Sequence, residues 1–207
     1  MNDPRGHGVV TIGNDYERDD SLLVELARSG DARAFGDLVR RYEKPLYNYL
    51  ARMLHNGTEA EDVFQETFLK VHQNLDTFRE GAPFRPWLYR IATNCCRDRQ
   101  RYWKRRPQVA LETPLGSEEK SGTLGDMLAD DGPSPADQAR ERETADRLAA
   151  AVAQLPVKHR AVFLMARYDG LPYDEIGAAL KIPVGTVKSR MNKAVKLLME
   201  ALDETEP

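Results

Sequence analysis

Apolar residues recur every three or four positions through most of the chain, the period of helices packed on one side, and no run alternates apolar with polar residues as a half-exposed strand would. Leu22, Leu23 and Leu26 predict a first helix, capped by Asp19 or Asp20 and ended by Gly30. Asp31 then caps a longer helix through Phe35, Leu38, Val39, Tyr42, Leu46 and Leu50, with Pro45 as a candidate kink. Asn56 and Gly57 mark a break. Thr58 and Glu61 have the spacing of a capping box for a third helix running to about Leu75, its core stripe being Val63, Phe64, Phe68, Val71 and Leu75. A loop with Gly81 and Pro83 leads into a fourth helix from Pro86, in which Phe84, Leu88, Ile91 and Cys95 form the buried stripe. Further on, Leu148, Val152 and Leu155 share one helix, and Val162, Phe163 and Met165 the next.

The last part of the chain has a sharper pattern. Tyr173, Ile176, Gly177 and Leu180 lie at helical spacing, Pro183 suits the start of a following helix, and Val187, Met191, Ala194, Val195, Leu198 and Leu202 make its apolar stripe. Two short helices across so tight a turn predict a helix-turn-helix. Lys188, Ser189, Asn192, Lys193 and Lys196 fall on the opposite side, and between Lys181 and Lys196 there are five basic residues and no acid. Such a helix suits a major groove, its amide and hydroxyl groups reading base edges and its ammonium groups meeting phosphates.

Charge sharpens this picture. The net charge of −3 over 207 residues argues against nucleic acid only on average, because the charge is segregated. Arg85 to Arg106 carries eight basic residues and one acid, whereas Pro107 to Asp146 carries ten acids and three bases among several Pro, Gly and Ser. That second stretch holds few large apolar residues and is expected to be a tether. The expected organisation is all-α: a flexible tail over 1–18, a helical domain over 19–106, an acidic linker over 107–140 and a helix-turn-helix domain over 141–207. No apolar run approaches the ~20 residues that span a bilayer, and the amino end has no signal-peptide core, so a cytoplasmic protein is expected. Cys95 and Cys96 offer neither a disulfide framework nor a spaced zinc site and are expected to be packing residues.

The fourth helix has a second face. Arg90, Asn94, Arg97 and Arg101 recur at helical spacing apart from the apolar stripe, and Phe78, Phe84, Trp87, Tyr89, Tyr102 and Trp103 surround it. Cations mixed with rings suit unpaired bases, which stack on aromatic side chains while arginines take the phosphates. One duplex-reading face and one face for opened strands, joined by a tether, fit a promoter with two spaced elements.

AEDVFQETFLKVHQNLDTF with FRPWLYRIATN, and LPVKHRAVFLMARYDGLPYDEIGAALKIPVGTVKSRMNKA after the acidic stretch, resemble the two conserved blocks of the extracytoplasmic-function, or group four, sigma factors of bacterial RNA polymerase, in the sigma-70 superfamily. The resemblance spans about Asp20 to Leu202. It implies a transcription initiation factor, stress-responsive and controlled by an anti-sigma factor, that binds core RNA polymerase and promoter DNA as duplex and as single strand. It implies no catalytic residue, metal or cofactor. By the same resemblance Asp62, Gln65, Glu66 and Lys70 dock on the polymerase's largest subunit, and Phe78, Phe84, Trp87, Arg90 and Asn94, within the stripe that continues to Arg97 and Arg101, melt and hold the minus-10 element. Lys188, Ser189, Arg190, Asn192 and Lys193 would read the minus-35 element, although Asn192 and Lys193 depart from the aromatic and arginine of some relatives. The acidic linker would thread the RNA exit path. Two other classes fit the residues less well: a duplex-binding regulator, which leaves the aromatic basic helix idle, and a magnesium nuclease built on Glu59, Glu61, Asp62 and Glu66, which lack a His or Lys at catalytic spacing.

Overall fold

The computed structural model describes residues 14–105 and 135–203. Most of the expected linker and most of the expected tail lie outside these residues; the last six positions of the one and the last five of the other are helical. Among the described residues the chain is helical with no strand. The first unit comprises α1 (Asn14–Arg28), α2 (Ala32–Leu54), α3 (Gly57–Gln73), a 3-10 turn (Leu75–Thr77) and α4 (Phe84–Arg105). The second comprises α5 (Pro135–Gln154), α6 (Val157–Arg167), α7 (Tyr173–Leu180) and α8 (Val184–Asp203).

Local chemistry sets the breaks. Gly30, at φ +94°, turns the chain out of α1, and the Asp31 carboxylate accepts from the amides of Arg33 at 2.8 Å and Ala34 at 3.3 Å to start α2. Two caps differ from expectation. α3 is capped by Asn56, whose side-chain oxygen accepts from the Glu59 amide at 3.2 Å, because the helix begins at Gly57, one residue before the Thr58 that the capping-box spacing favoured. Asp20 lies inside α1 and is only 3% exposed; it accepts from Arg41 at 2.6 Å and from the Tyr42 hydroxyl, and so ties α1 to α2. Pro45 is accommodated within α2.

In the first unit α2 packs on α1, α3 and α4; in the second, α8 packs on α5, α6 and α7. Gly177 permits the tight crossing of α7 and α8, since a β-carbon there would come within 2.9 Å of the Ile182 carbonyl oxygen. Lys181 takes the left-handed conformation in the turn between them, at φ 53°.

The two units are not held apart. α7 lies against α4, and α5 and α6 against α2, so that one apolar core runs through both. Arginines close the seam. The Arg160 guanidinium, on a residue 7% exposed, donates to the Met53 carbonyl at the end of α2 at 2.7 Å, to the Leu155 carbonyl at 2.9 Å and to the Ala153 carbonyl. Arg85 of α4 donates to the Asp169 carbonyl, and the Arg52 guanidinium stands 4.4 Å from the centre of the Tyr168 ring.

Candidate nucleic-acid interface

α4 leaves one side of the helix open to solvent while its other side is sealed. Leu88, Tyr89, Ala92 and Cys96 are fully buried, Cys95 is 1% exposed, and the Thr93 hydroxyl lies 2.8 Å from that of Tyr49 on α2. Ile91, expected in the buried stripe, is only half-buried. Asn94 and Arg101 are exposed and Arg90 and Arg97 partly so, which places the expected polar stripe at the surface. Arg101 shares its charge with Asp98, 3.2 Å away.

The aromatic cluster divides: Phe84 is buried, as its place in the apolar stripe predicts, and Phe78, which precedes the helix, is buried with it. Phe84 is 2% exposed and Phe78 5%; their centroids are 5.9 Å apart, and Phe84 also packs on Tyr42 at 5.5 Å. Burying rings of this size stabilises the core, so in this conformation neither Phe78 nor Phe84 presents a face to a base. Of the three rings at the start of the helix Trp87 is the one left half-exposed, propped on Phe78 at 5.1 Å and Phe84 at 5.7 Å; further along, Tyr102 is exposed and Trp103 half-buried. Beside it opens a groove lined by Phe78, Arg79, Trp87 and Arg90, with Ala178 of α7 on its other side. Arg79 carries a charge in this groove that the helical wheel missed, because it precedes the helix. The paired thiols of Cys95 and Cys96 are both raised in pKa by burial, which fits packing residues.

On α8, Lys188, Ser189, Asn192 and Lys193 are exposed and Arg190 is half-buried. The Ser189 hydroxyl donates to the Thr186 carbonyl at 3.0 Å, leaving its oxygen free to accept. His159 of α6 contacts the Arg190 carbonyl at 3.2 Å and steadies the helix from behind. The apolar stripe is narrower than its spacing suggests. Val187, Ala194 and Leu198 are buried, but Val195 is 41% exposed and, with Met199, lies on the outer side.

On α3, Asp62 and Gln65 are exposed. Glu66 and Lys70 form an ion pair at 2.7 Å, and that partner raises the lysine's pKa. Arg99 of α4 holds Glu59 at 2.6 Å and stands 3.6 Å from Asp62, so these carboxylates are met by arginine. Gln65 borders a groove shared with Phe64, Glu61 and, across on α2, Glu43, Lys44 and Tyr47. The α2 half of this groove carries no motif and was not anticipated. No helix among the described residues is long and apolar enough to cross a membrane.

Comparison with known proteins agrees with this geometry. The profile of Sigma-70 region 2 matches residues 38–106, and that of Sigma-70, region 4 matches residues 145–198. The ECF RNA polymerase sigma factor SigW of Bacillus subtilis is 36% identical over 179 residues, covering 86% of this chain and 94% of that protein. The RNA polymerase sigma-H factor of Pseudomonas aeruginosa is 33% identical over 186 residues, covering 90% and 95%. Among solved structures, CnrH in complex with the cytosolic domain of CnrY matches with a TM-score of 0.66 at 27% identity, over 91% of this chain and 99% of that one. The sigma factor RpoE of Bartonella quintana, solved with the anti-sigma factor NepR, shares the fold at a TM-score of 0.60 and 21% identity, over 84% and 100%. Region 2 ends on the basic helix α4, region 4 contains the helix-turn-helix, and both stand in one chain in that order: it belongs to the extracytoplasmic-function family of RNA polymerase sigma factors.

Proposed function

We propose that this transcription initiation factor divides its work between its two helical units, acting in the cytoplasm. α8 reads the duplex minus-35 element through Lys188, Ser189, Arg190, Asn192 and Lys193. α4 captures the opened minus-10 strand on Trp87, Arg90 and Asn94, with Arg97, Arg101 and Arg79 along the phosphates. Phe78 and Phe84 act from behind, holding Trp87 in place. The observation that carries this reading is the one-sidedness of α4: a row of ring, guanidinium and amide groups lies on a helix whose opposite side is locked into the core. A rigid, cationic and aromatic surface returns the cost of unstacking a base only where the base fits.

Core polymerase docks on the exposed side of α3, where Asp62, Gln65, Glu66 and Lys70 offer acids and an amide to cationic groups of the partner. The likeness to CnrH, solved with the cytosolic domain of CnrY, and to RpoE, solved with the anti-sigma factor NepR, supports control of this chain by an anti-sigma factor. Ala178 of α7 borders the groove of Trp87 and Arg90, so parting of the units would widen the surface that α4 offers a strand.

Run-off transcription with purified core polymerase on a promoter library tests the whole; failure to initiate at any promoter would refute it. Two substitutions test its parts. Lys188→Ala with Asn192→Ala is expected to weaken minus-35 duplex binding by about 10- to 100-fold and to lower its salt dependence, leaving core binding intact, because one phosphate contact and one base contact are removed. Equal binding of wild type and variant in a fluorescence anisotropy titration would exclude α8 as the reader. Asp62→Arg with Glu66→Arg reverses two charges on α3 and is expected to reduce holoenzyme formation at least about tenfold, measured by co-elution with core polymerase. A normal holoenzyme would remove the docking assignment.

A further inference from the structure

One part of the seam between the units is built at a cost. Asp169 follows α6 in a tight turn that Gly170 completes at φ +64°. Arg85 of α4 takes its main-chain carbonyl and not its carboxylate. Asp169 is half-buried as a residue, but its carboxylate Oδ2 is sealed from solvent, as is the hydroxyl of Tyr89, the fully buried α4 ring beside it; the two groups interact, yet neither oxygen makes a well-formed hydrogen bond. A closed seam that seals an acid oxygen from water without a well-formed hydrogen bond is less stable when that acid is charged than when it is neutral.

We propose that Asp169, closed in against Tyr89 of α4, is a proton-operated catch between the two helical units: the neutral carboxyl lets them close, and the ionised carboxylate favours their parting. The groups acting on Asp169 are Tyr89 and Arg85 from α4 and Arg52 from α2, with Tyr49 of α2 behind them. Burial outweighs the help that Tyr89, Arg85 and Arg52 give the charged form, and raises the carboxyl pKa to about 6. In the parted state the carboxyl is hydrated and returns to its ordinary value near ~4. The closed state therefore binds the proton more tightly. Closure gains its full benefit below the pKa of the parted state and loses it as pH rises through about 6.

His55, at the end of α2 beside Arg160, titrates in the same window with the opposite sign. Burial and Arg160 lower its imidazole pKa to about 4, so acid acting on His55 favours opening. The catch is therefore isolated in a His55→Asn background, asparagine being at ease in the left-handed conformation of that residue, φ 56°.

Spin labels at Gln73→Cys and Met199→Cys, both exposed positions, report the separation of the units in the full chain, because the native thiols of Cys95 and Cys96 are buried. Between about pH 7.5 and about pH 5 the closed-to-open ratio of the His55→Asn chain is expected to rise on the order of tenfold. Adding Asp169→Asn, near-isosteric and always neutral, should abolish this dependence and leave the chain closed at both pH values. Tyr89→Phe, which removes a group favouring the charged form, should move the midpoint upward. A ratio that does not change with pH in the His55→Asn chain, or a dependence that survives Asp169→Asn, overturns the proposal.

Discussion

Arg160→Ala is expected to lower the stability of the chain by about 3–5 kcal/mol, since hydrogen bonds from a charged donor contribute roughly 1.5–3 kcal/mol each and buried carbonyls that lose their donor cost more. The reason lies in where its three bonds go. Met53 is in the last turn of α2, and Ala153 and Leu155 lie at the end of α5; carbonyls in such places have no donor from within their own helix. The guanidinium therefore bridges two helix ends, one in each unit, sharing the Met53 carbonyl with Gln100 Nε2 at 3.2 Å and meeting the Ala153 and Leu155 carbonyls. Urea unfolding followed by circular dichroism measures the loss, and an unchanged midpoint would show that water replaces the guanidinium at no cost. Arg160→Lys should recover only part of the stability, because an ammonium cannot reproduce the planar fork.

Trp87→Ala with Asn94→Ala is expected to reduce promoter opening by about 10- to 100-fold, given roughly 1–3 kcal/mol per base stacked on an aromatic ring. Trp87 is half-exposed and Asn94 exposed, so neither substitution empties the core and the fold should survive. Permanganate reactivity of unpaired thymines near the start site reads the effect directly. Core binding and minus-35 binding should be unaffected, which separates loss of capture from loss of recruitment. Undiminished reactivity would sink the assignment of α4 to melting.

The helical architecture, the α2 cap at Asp31, the break at Gly30 and the helix-turn-helix are legible in the sequence because each depends on near neighbours: a period, a side chain reaching two or three residues on, or a glycine at positive φ. Both cationic faces are legible for the same reason. The seam is not. Its polar contacts join arginine side chains to main-chain carbonyls, Arg160 to Met53 and Arg85 to Asp169, and every residue has a carbonyl. Asp20 misleads in the opposite direction, since an acid ahead of three leucines has the pattern of a cap, whereas its partners, Arg41 and Tyr42, come from the next helix. Phe84 is buried as its place in the apolar stripe predicts, whereas Phe78 precedes the helix, and only its packing on Phe84 in the folded chain decides that it is buried too.

The anchoring of α4 by Leu88, Ala92, Cys96 and the Tyr49–Thr93 pair has a kinetic meaning. A template so fixed has little freedom left to surrender when a strand arrives, so most of the work of strand separation is borne by the nucleic acid. Promoters already weakened at that element, by a mismatch or by negative supercoiling, should then fire faster in proportion to the base-pairing energy removed.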